Sequence, residues 1–317
     1  MPEVAGRVAE SFGERMRRNE ELALSRFAVQ SYETRGRLLA EEECTIRTPF
    51  QRDRDRILHS KAFRRLKGKT QVFIDPAGDH YRTRMTHTLE TTGIARVVAR
   101  ALSLNEDLTE AIGLGHDTGH PPFGHAGEDA LDAALHERFG VRFRHNEQSL
   151  RIAESLNLTW EVRDGILTHT GEQEPQTLEG KIVRIVDRVA YINHDIDDAI
   201  RHGILAPQDL PQTEIALLGD SGATRIDTLV HDLVESSAGL DDIVQSDDVR
   251  ASMLALRSFM FDRVYLAPGA KHEHERAHAT IRRIFDRLAD RGDGPDEITA
   301  FVAGMTDRFA LEYAERI

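Results

Sequence analysis

The chain of 317 residues has one cysteine, Cys44, which rules out an internal disulfide and a thiolate metal cluster. No apolar stretch approaches the roughly 18 residues that a bilayer-spanning helix requires. Met1-Pro-Glu-Val-Ala-Gly-Arg lacks the apolar core of a signal peptide, so a cytoplasmic location is expected. Internal repeats and breaks in composition are also missing. What remains is an ordinary globular balance, 40% hydrophobic and 30% charged. One mainly helical, all-α domain is expected over 45–317. Residues 1–44, rich in Arg and Glu, read as a helical or partly disordered extension and a candidate oligomer contact.

Charge is unevenly placed. Residues 47–84 carry 11 Lys/Arg and 4 Asp/Glu in a chain of net charge −13. An acidic protein with one basic segment looks less like a general nucleic-acid binder than like one that holds a compact polyanion locally. A solvated basic helix face is the plainer alternative.

Helical periodicity dominates. Met85 to Leu104 places Leu89, Ile94, Val97, Val98, Ala101 and Leu102 on one stripe, and Asn105 caps a further helix through Leu114. Further helices are expected near 127–139, 146–156, 161–168, 178–200, 225–235, 247–266, 272–291 and 295–317. Residues 205–224, rich in Pro, Gly, Asp and Ser, read as a loop. The single strand candidate is a short β-hairpin near residues 70–82, turning at Pro76-Ala-Gly-Asp79.

The chemistry concentrates in Ala111-Ile-Gly-Leu-Gly-His-Asp-Thr-Gly-His-Pro-Pro-Phe-Gly-His125. Adjacent His116 and Asp117 offer nitrogen and oxygen ligands suited to a divalent metal such as Mn, Fe, Co, Ni or Zn, and the carboxylate also admits Mg. His87 lies one turn into the preceding long helix. Asp187 sits in Lys181-Ile-Val-Arg-Ile-Val-Asp-Arg-Val-Ala-Tyr191, where burial of a carboxylate is costly unless it is paired or bound to metal. Together His87, His116, Asp117 and Asp187 supply four ligands and leave positions open for water or phosphate oxygens. A bond from Asp187 to Arg184 or Arg188 is the competing use of that carboxylate.

The order His87, His116-Asp117, Asp187 resembles the signature of the HD-domain phosphohydrolase superfamily. Longer runs narrow the resemblance. Arg52-Asp-Arg-Asp-Arg-Ile-Leu-His-Ser-Lys-Ala-Phe-Arg-Arg-Leu66, Lys69-Thr-Gln-Val-Phe73, His116 to Glu128, His145-Asn-Glu-Gln-Ser149 and Met305-Thr-Asp-Arg-Phe-Ala310 are similar to the deoxyguanosine triphosphate triphosphohydrolase (dNTP triphosphohydrolase) family. The resemblance runs from about residue 45 to the C-terminus.

That resemblance implies hydrolysis of a deoxynucleoside triphosphate at the α-phosphorus, releasing the deoxynucleoside and inorganic tripolyphosphate. It implies one divalent metal per chain, Mn or Mg first and Fe, Co, Ni or Zn as alternatives. It carries over a catalytic His125–Glu128 dyad at the α-phosphate and a phosphate contact for His120. Arg84, one turn before His87, and His145 are implied to hold phosphate. Tyr191 and Asp195 are implied to meet the sugar and its 3′-hydroxyl, with Gln71 in the same region. Arg257 and Tyr265 are implied to bind phosphate and pack on the deoxyribose. A homo-oligomer, and a dNTP activator or single-stranded DNA at a separate regulatory site, belong to the same resemblance.

Other readings stay open from the residues alone. His145 with His169 could serve a second metal, as in some HD enzymes. A 5′-nucleotidase or cyclic-nucleotide phosphodiesterase shares the bare HD signature, and a nucleotide-sensing or single-strand-binding regulator could retain such a pocket. His272-Glu-His274 reads as exposed helix.

Overall fold

The computed structural model describes residues 2–71, 82–265 and 268–317. Its described residues form fifteen α-helices. They are α1 Pro2–Ala23, α2 Pro49–His59, α3 Lys61–Arg65, α4 Arg84–Ala101, α5 Glu106–Gly115, α6 Gly124–Phe139, α7 His145–Ser155 and α8 Trp160–Thr168. Then come α9 Leu178–Arg201, α10 Gln212–Leu218, α11 Gly222–Ser237, α12 Asp247–Met260, α13 Pro268–Arg291, α14 Pro295–Ala303 and α15 Asp307–Arg316. The all-α expectation holds. Most of the hairpin expected near 70–82 lies outside the described residues; its flanks Thr70 and Thr83 form an isolated antiparallel bridge.

Local chemistry sets the helix starts. Thr48 and Gln51 form a reciprocal capping box on α2, and the side chains of Thr83, Asn105, Thr177 and Thr306 accept first-turn N–H groups of α4, α5, α9 and α15. Each such cap stabilises by about 1 kcal/mol. The expected helix over 295–317 breaks at Gly304, because Thr306 caps a new helix instead of continuing the old one. The 205–224 loop holds the short α10, whose Leu218 is buried. After α12, residues Phe261–Tyr265 form one π-helical turn. Such turns insert an extra residue and re-aim side chains, here Tyr265.

Three aliphatic clusters build the interior. The first joins α2, α4, α5, α8 and the first half of α9 through Ile57, Val98, Leu108, Ile112, Val162, Ile166, Ile182 and Val186. The second packs α6 on α13 to α15 through Leu131, Leu135, Ile281, Phe285, Ile298 and Val302. The third joins the second half of α9 to α10, α11 and α12 through Ile192, Ile196, Leu218, Leu229, Met253 and Met260. Burying each such side chain stabilises by about 1.5–3 kcal/mol. Helix α9 threads two clusters, so its middle, where Asp187 sits, lies at their seam.

Residues 24–44 are tied to this frame. Glu179 accepts the N–H groups of Val29 and Asn105 at 3.1 and 3.0 Å, Glu161 accepts that of Arg35 at 2.7 Å, and Arg37 pairs with Asp53. The basic segment is partly spent in the same way. Arg52 and Arg56 pair with Glu41, and Arg54 with Asp55 and Glu110. The cations of that segment that are buried are Lys69 and Arg84.

Candidate metal and polyanion site

The N-terminus of α4, the turn from α5 to α6, the start of α7, the end of α8 and the middle of α9 converge on one point. His87 Nε2 lies 2.9 Å from Asp187 Oδ1, and His116 Nε2 is 3.5 Å from that oxygen and 3.8 Å from Asp117 Oδ1. Ligand atoms of His87, His116 and Asp117 all fall within 4.8 Å of one another. The alternative partners of Asp187 are excluded for Arg184, whose guanidinium donates to the carbonyls of Thr168, Gln173 and Gly171.

The donor set fits a divalent ion. His116 Nδ1 lies 2.7 Å from the Gly113 carbonyl and donates to it, which aims Nε2, without a hydrogen-bond partner, at the carboxylates. Burial works against a charged His116 ring, but Asp117 and Asp187 outweigh it and raise its pKa to about 9. Both carboxylates are held well below their usual range despite burial, Asp117 first by Arg84 and Asp187 first by the rings of His116 and His87 that face it. The cluster is thus built around positive charge. HD domains are metal-dependent, and the buried His87, His116 and Asp117, with Asp187 against both rings, could hold such an ion.

Beside this set the structure gathers buried polar atoms that lack partners among the described residues. Arg84 gives one N–H to Asp117 Oδ2 at 2.8 Å, while its Nε and second terminal nitrogen are unpaired. Gln71 Oε1, His120 Nδ1 and His194 Nδ1 are likewise buried and unpartnered. Each such group costs roughly 1–3 kcal/mol unless a ligand satisfies it. Burial, with Arg84 and His145 next, keeps His120 well below the ordinary histidine range.

Glu128 lies between the imidazoles of His125 and His145. Its Oε1 accepts the backbone N–H of His145 at 2.8 Å and the ring Nδ1–H at 2.9 Å, so it also caps α7. His125, on the same turn, has its Nδ1 3.7 Å from Glu128 Oε2 and its side chain 69% exposed. His145 stacks on His120 with ring centroids 3.9 Å apart. Its Nε2 faces His169 Nε2 at 3.2 Å. Because His169 Nδ1 donates to the Ile166 carbonyl at 2.7 Å, His169 is the acceptor of that pair. Burial, followed by the charges of His116 and His145, lowers His169 to about 3 and keeps it neutral.

On the opposite wall, α9 is cross-linked once to α12 and once to the π turn that follows it. Arg257 Nε donates to the Tyr191 hydroxyl at 2.9 Å, and the Tyr265 hydroxyl donates to Asp195. Burial raises the Asp195 carboxyl to about 7, with the Tyr265 hydrogen bond opposing.

All fourteen residues singled out from the sequence lie within the described part of the chain. Sequence reasoning gave no role to His194, whose Nε2 lies 3.2 Å from Glu90 Oε2 and whose ring meets His87, nor to Lys69, buried against the His120 carbonyl. His194 stands seven residues after Asp187 on α9, a two-turn spacing that places both on one face. Lys69 offers no such signal.

Comparison with known proteins agrees with this geometry. The HD domain family matches residues 84–192, and the phosphohydrolase-associated domain family matches residues 243–298. A deoxyguanosinetriphosphate triphosphohydrolase-like protein of Caldanaerobacter subterraneus subsp. tengcongensis is 52% identical, covering 91% of this chain and 90% of its own. Like-named proteins of Clostridium perfringens and Desulfatibacillum aliphaticivorans are 44% and 42% identical over 94% and 93% of the chain, and 95% and 94% of theirs. A crystal structure of a hypothetical protein from Aquifex aeolicus shares the fold at 20% identity and a TM-score of 0.52, over 82% of this chain and 67% of that one. An HD-type site on an all-α frame, with relatives alike over nearly their whole length, makes this chain a member of the deoxyguanosinetriphosphate triphosphohydrolase-like family of HD-domain phosphohydrolases.

Proposed function

We propose that the protein hydrolyses deoxynucleoside triphosphates, dGTP or several dNTPs, to the deoxynucleoside and inorganic tripolyphosphate. The observation that carries this reading is that Arg84 and His120 keep buried nitrogens without partners among the described residues, while both lie against Asp117 of the His87, His116 and Asp117 cluster. Such nitrogens are satisfied by a phosphate chain and left costly without one.

The reaction adds water to the α-phosphorus and breaks its bond to the 5′-oxygen, which takes up a proton as the tripolyphosphate departs. Phosphate esters are among the slowest compounds to hydrolyse uncatalysed, so charge neutralisation and proton delivery both matter. His87, His116, Asp117 and Asp187 would hold a divalent ion, Mn or Mg, which would supply Lewis-acid charge at the site. Arg84 and His120 bind phosphate oxygens with the nitrogens that the fold leaves unpaired. Glu128 and His145 form a fixed hydrogen-bonded pair beside His120, and His125, whose side chain is exposed, is the ring able to move a proton at the reacting centre. Tyr191, Asp195, Arg257 and Tyr265 receive the sugar, with Asp195 accepting from the 3′-hydroxyl. Packing of Tyr265 on the deoxyribose disfavours a 2′-hydroxyl.

The test is a panel of the four dNTPs with Mn and with Mg, assayed singly and in mixtures for tripolyphosphate. Release of tripolyphosphate supports the reading, and activity only in mixtures reveals a dNTP activator. Orthophosphate from a nucleoside monophosphate, with no tripolyphosphate from any dNTP, sinks it.

A further inference from the structure

The turn from α5 to α6 carries His120 and leads into His125 and Glu128, yet its conformation is not self-supporting. Phe123, the residue before α6, has φ 67, a left-handed conformation costly for an aromatic residue, and no side chain caps the helix. Its N–H is instead taken by Asp307 Oδ1 at 3.0 Å, from the first turn of α15. The other oxygen of Asp307 accepts the Thr70 N–H at 2.8 Å and also the Thr70 hydroxyl. Thr70 adjoins Gln71, and the Lys69 carbonyl beside it accepts the Arg84 N–H at 3.0 Å. Lys69 Nζ completes the joint, donating to the carbonyls of His120 and, at 2.7 Å, Ala303 at the end of α14.

We propose that Asp307 is a positioning residue for catalysis. One carboxylate fastens the α6 turn to the 69–71 segment and so sets the distance between His125 and Glu128 on one side and Gln71 and Arg84 on the other. The proposal rests on the phosphohydrolase reading above and assigns to the C-terminal helices the role of aligning the site rather than contacting substrate. Both oxygens of Asp307 act as acceptors of backbone N–H groups. An amide at this position offers only one acceptor and forces a donor against a donor.

Asp307→Asn is therefore expected to lower kcat for tripolyphosphate release about 10- to 100-fold, the scale of an ångström-sized misplacement. KM and bound metal should stay within about twofold, as for an interaction felt only in the transition state. Thr70→Val, which removes one of the three bonds, should show a smaller loss in the same direction. Arg308→Ala, exposed on α15 and bonded only to Glu312 among the described contacts, serves as the control and should match wild type. Deuterium exchange provides a readout independent of turnover. Amides of residues 117–128 should exchange faster in Asp307→Asn, while those of α9 and α13 are unchanged.

Wild-type kcat with wild-type exchange in Asp307→Asn overturns the proposal. So does a loss of activity accompanied by loosening throughout the chain, which would mark Asp307 as generally structural. If the wild type releases no tripolyphosphate but cleaves bis(p-nitrophenyl) phosphate, the substrate reading fails. The exchange pattern and the kcat on that ester then still decide the role of Asp307.

Discussion

Glu128 Oε1 receives the ring N–H of His145 at 2.9 Å, while His125 Nδ1 stands 3.7 Å from the other carboxylate oxygen. One carboxylate therefore serves two imidazoles on different helices, one locked and one exposed. Burial opposes its charge, but the charge of His145, the nearby His125 ring and the His145 hydrogen bond outweigh burial and hold it far below the usual carboxylate range. Its function is that of a fixed anion. Glu128→Gln keeps the shape and removes the charge, so kcat should fall about 100-fold, within the usual range for a general acid–base pair, with metal content unchanged. Steady-state kinetics beside metal analysis checks this; wild-type kcat in Glu128→Gln would leave the pair without a catalytic role.

The metal set makes a separate prediction. Asp187 faces both His87 and His116, at 2.9 and 3.5 Å, so its removal strips a ligand and leaves two imidazoles without their shared acceptor. Asp187→Ala should bind less than one tenth of the wild-type metal and lose hydrolysis; outer changes alone typically cost about 10- to 100-fold in metal affinity. Chelation should abolish wild-type turnover and added Mn should restore it. Full metal occupancy and turnover in Asp187→Ala would mean that the ligand set is wrong.

The α9–α12 wall should govern binding more than chemistry. Tyr265→Phe removes the hydroxyl that donates to buried Asp195, and Arg257→Ala frees the Tyr191 hydroxyl. Loss of a hydrogen bond that holds a contacting group in place is worth about 0.5–1.5 kcal/mol, so KM for a dNTP should rise about two- to tenfold in each variant. Competition between a dNTP and its ribonucleotide counterpart should also narrow in Tyr265→Phe. Unchanged KM in both variants would remove this wall from the substrate site.

Stability should depend on pH through Glu179, which lies away from the catalytic cluster and accepts the Val29 and Asn105 amides. Burial raises its pKa from 4.5 to about 7, with those two hydrogen bonds opposing. A raised folded-state pKa means that its stabilising contribution is complete below the unfolded value and fades as pH rises through 7. Glu179→Gln keeps an acceptor for the two amides and does not titrate. The Tm of Glu179→Gln minus that of wild type should therefore grow between pH 5 and pH 8, by an amount equivalent to about 2–3 kcal/mol at full effect. An equal difference at both pH values would refute the assignment.

Much of the fold was legible because its helices announce themselves locally. The α4 stripe, the Asn105 cap and the apolar spacing around Asp187 each lie within one helix, where period and capping residue suffice. Less legible were α10, hidden in a segment rich in loop-forming residues, and the π turn at 261–265, which leaves no mark on the hydrophobic period. The break at Gly304 was obscured because Pro295 to Ile317 keeps a helical composition across it.

The sequence by itself determined an all-helical chain and, through its resemblance to the HD-domain phosphohydrolases, the residue types of a candidate metal site at His87, His116-Asp117 and Asp187. Only the tertiary structure decided which side chains meet. Glu128 turned to His145, Tyr191 met Arg257, Tyr265 met Asp195, and Asp307 reached back to Phe123 and Thr70. Each of these contacts joins segments that no local period relates. They exist because three aliphatic clusters pack the helices at fixed distances, and the polar groups left at the seam must take the partners that packing delivers.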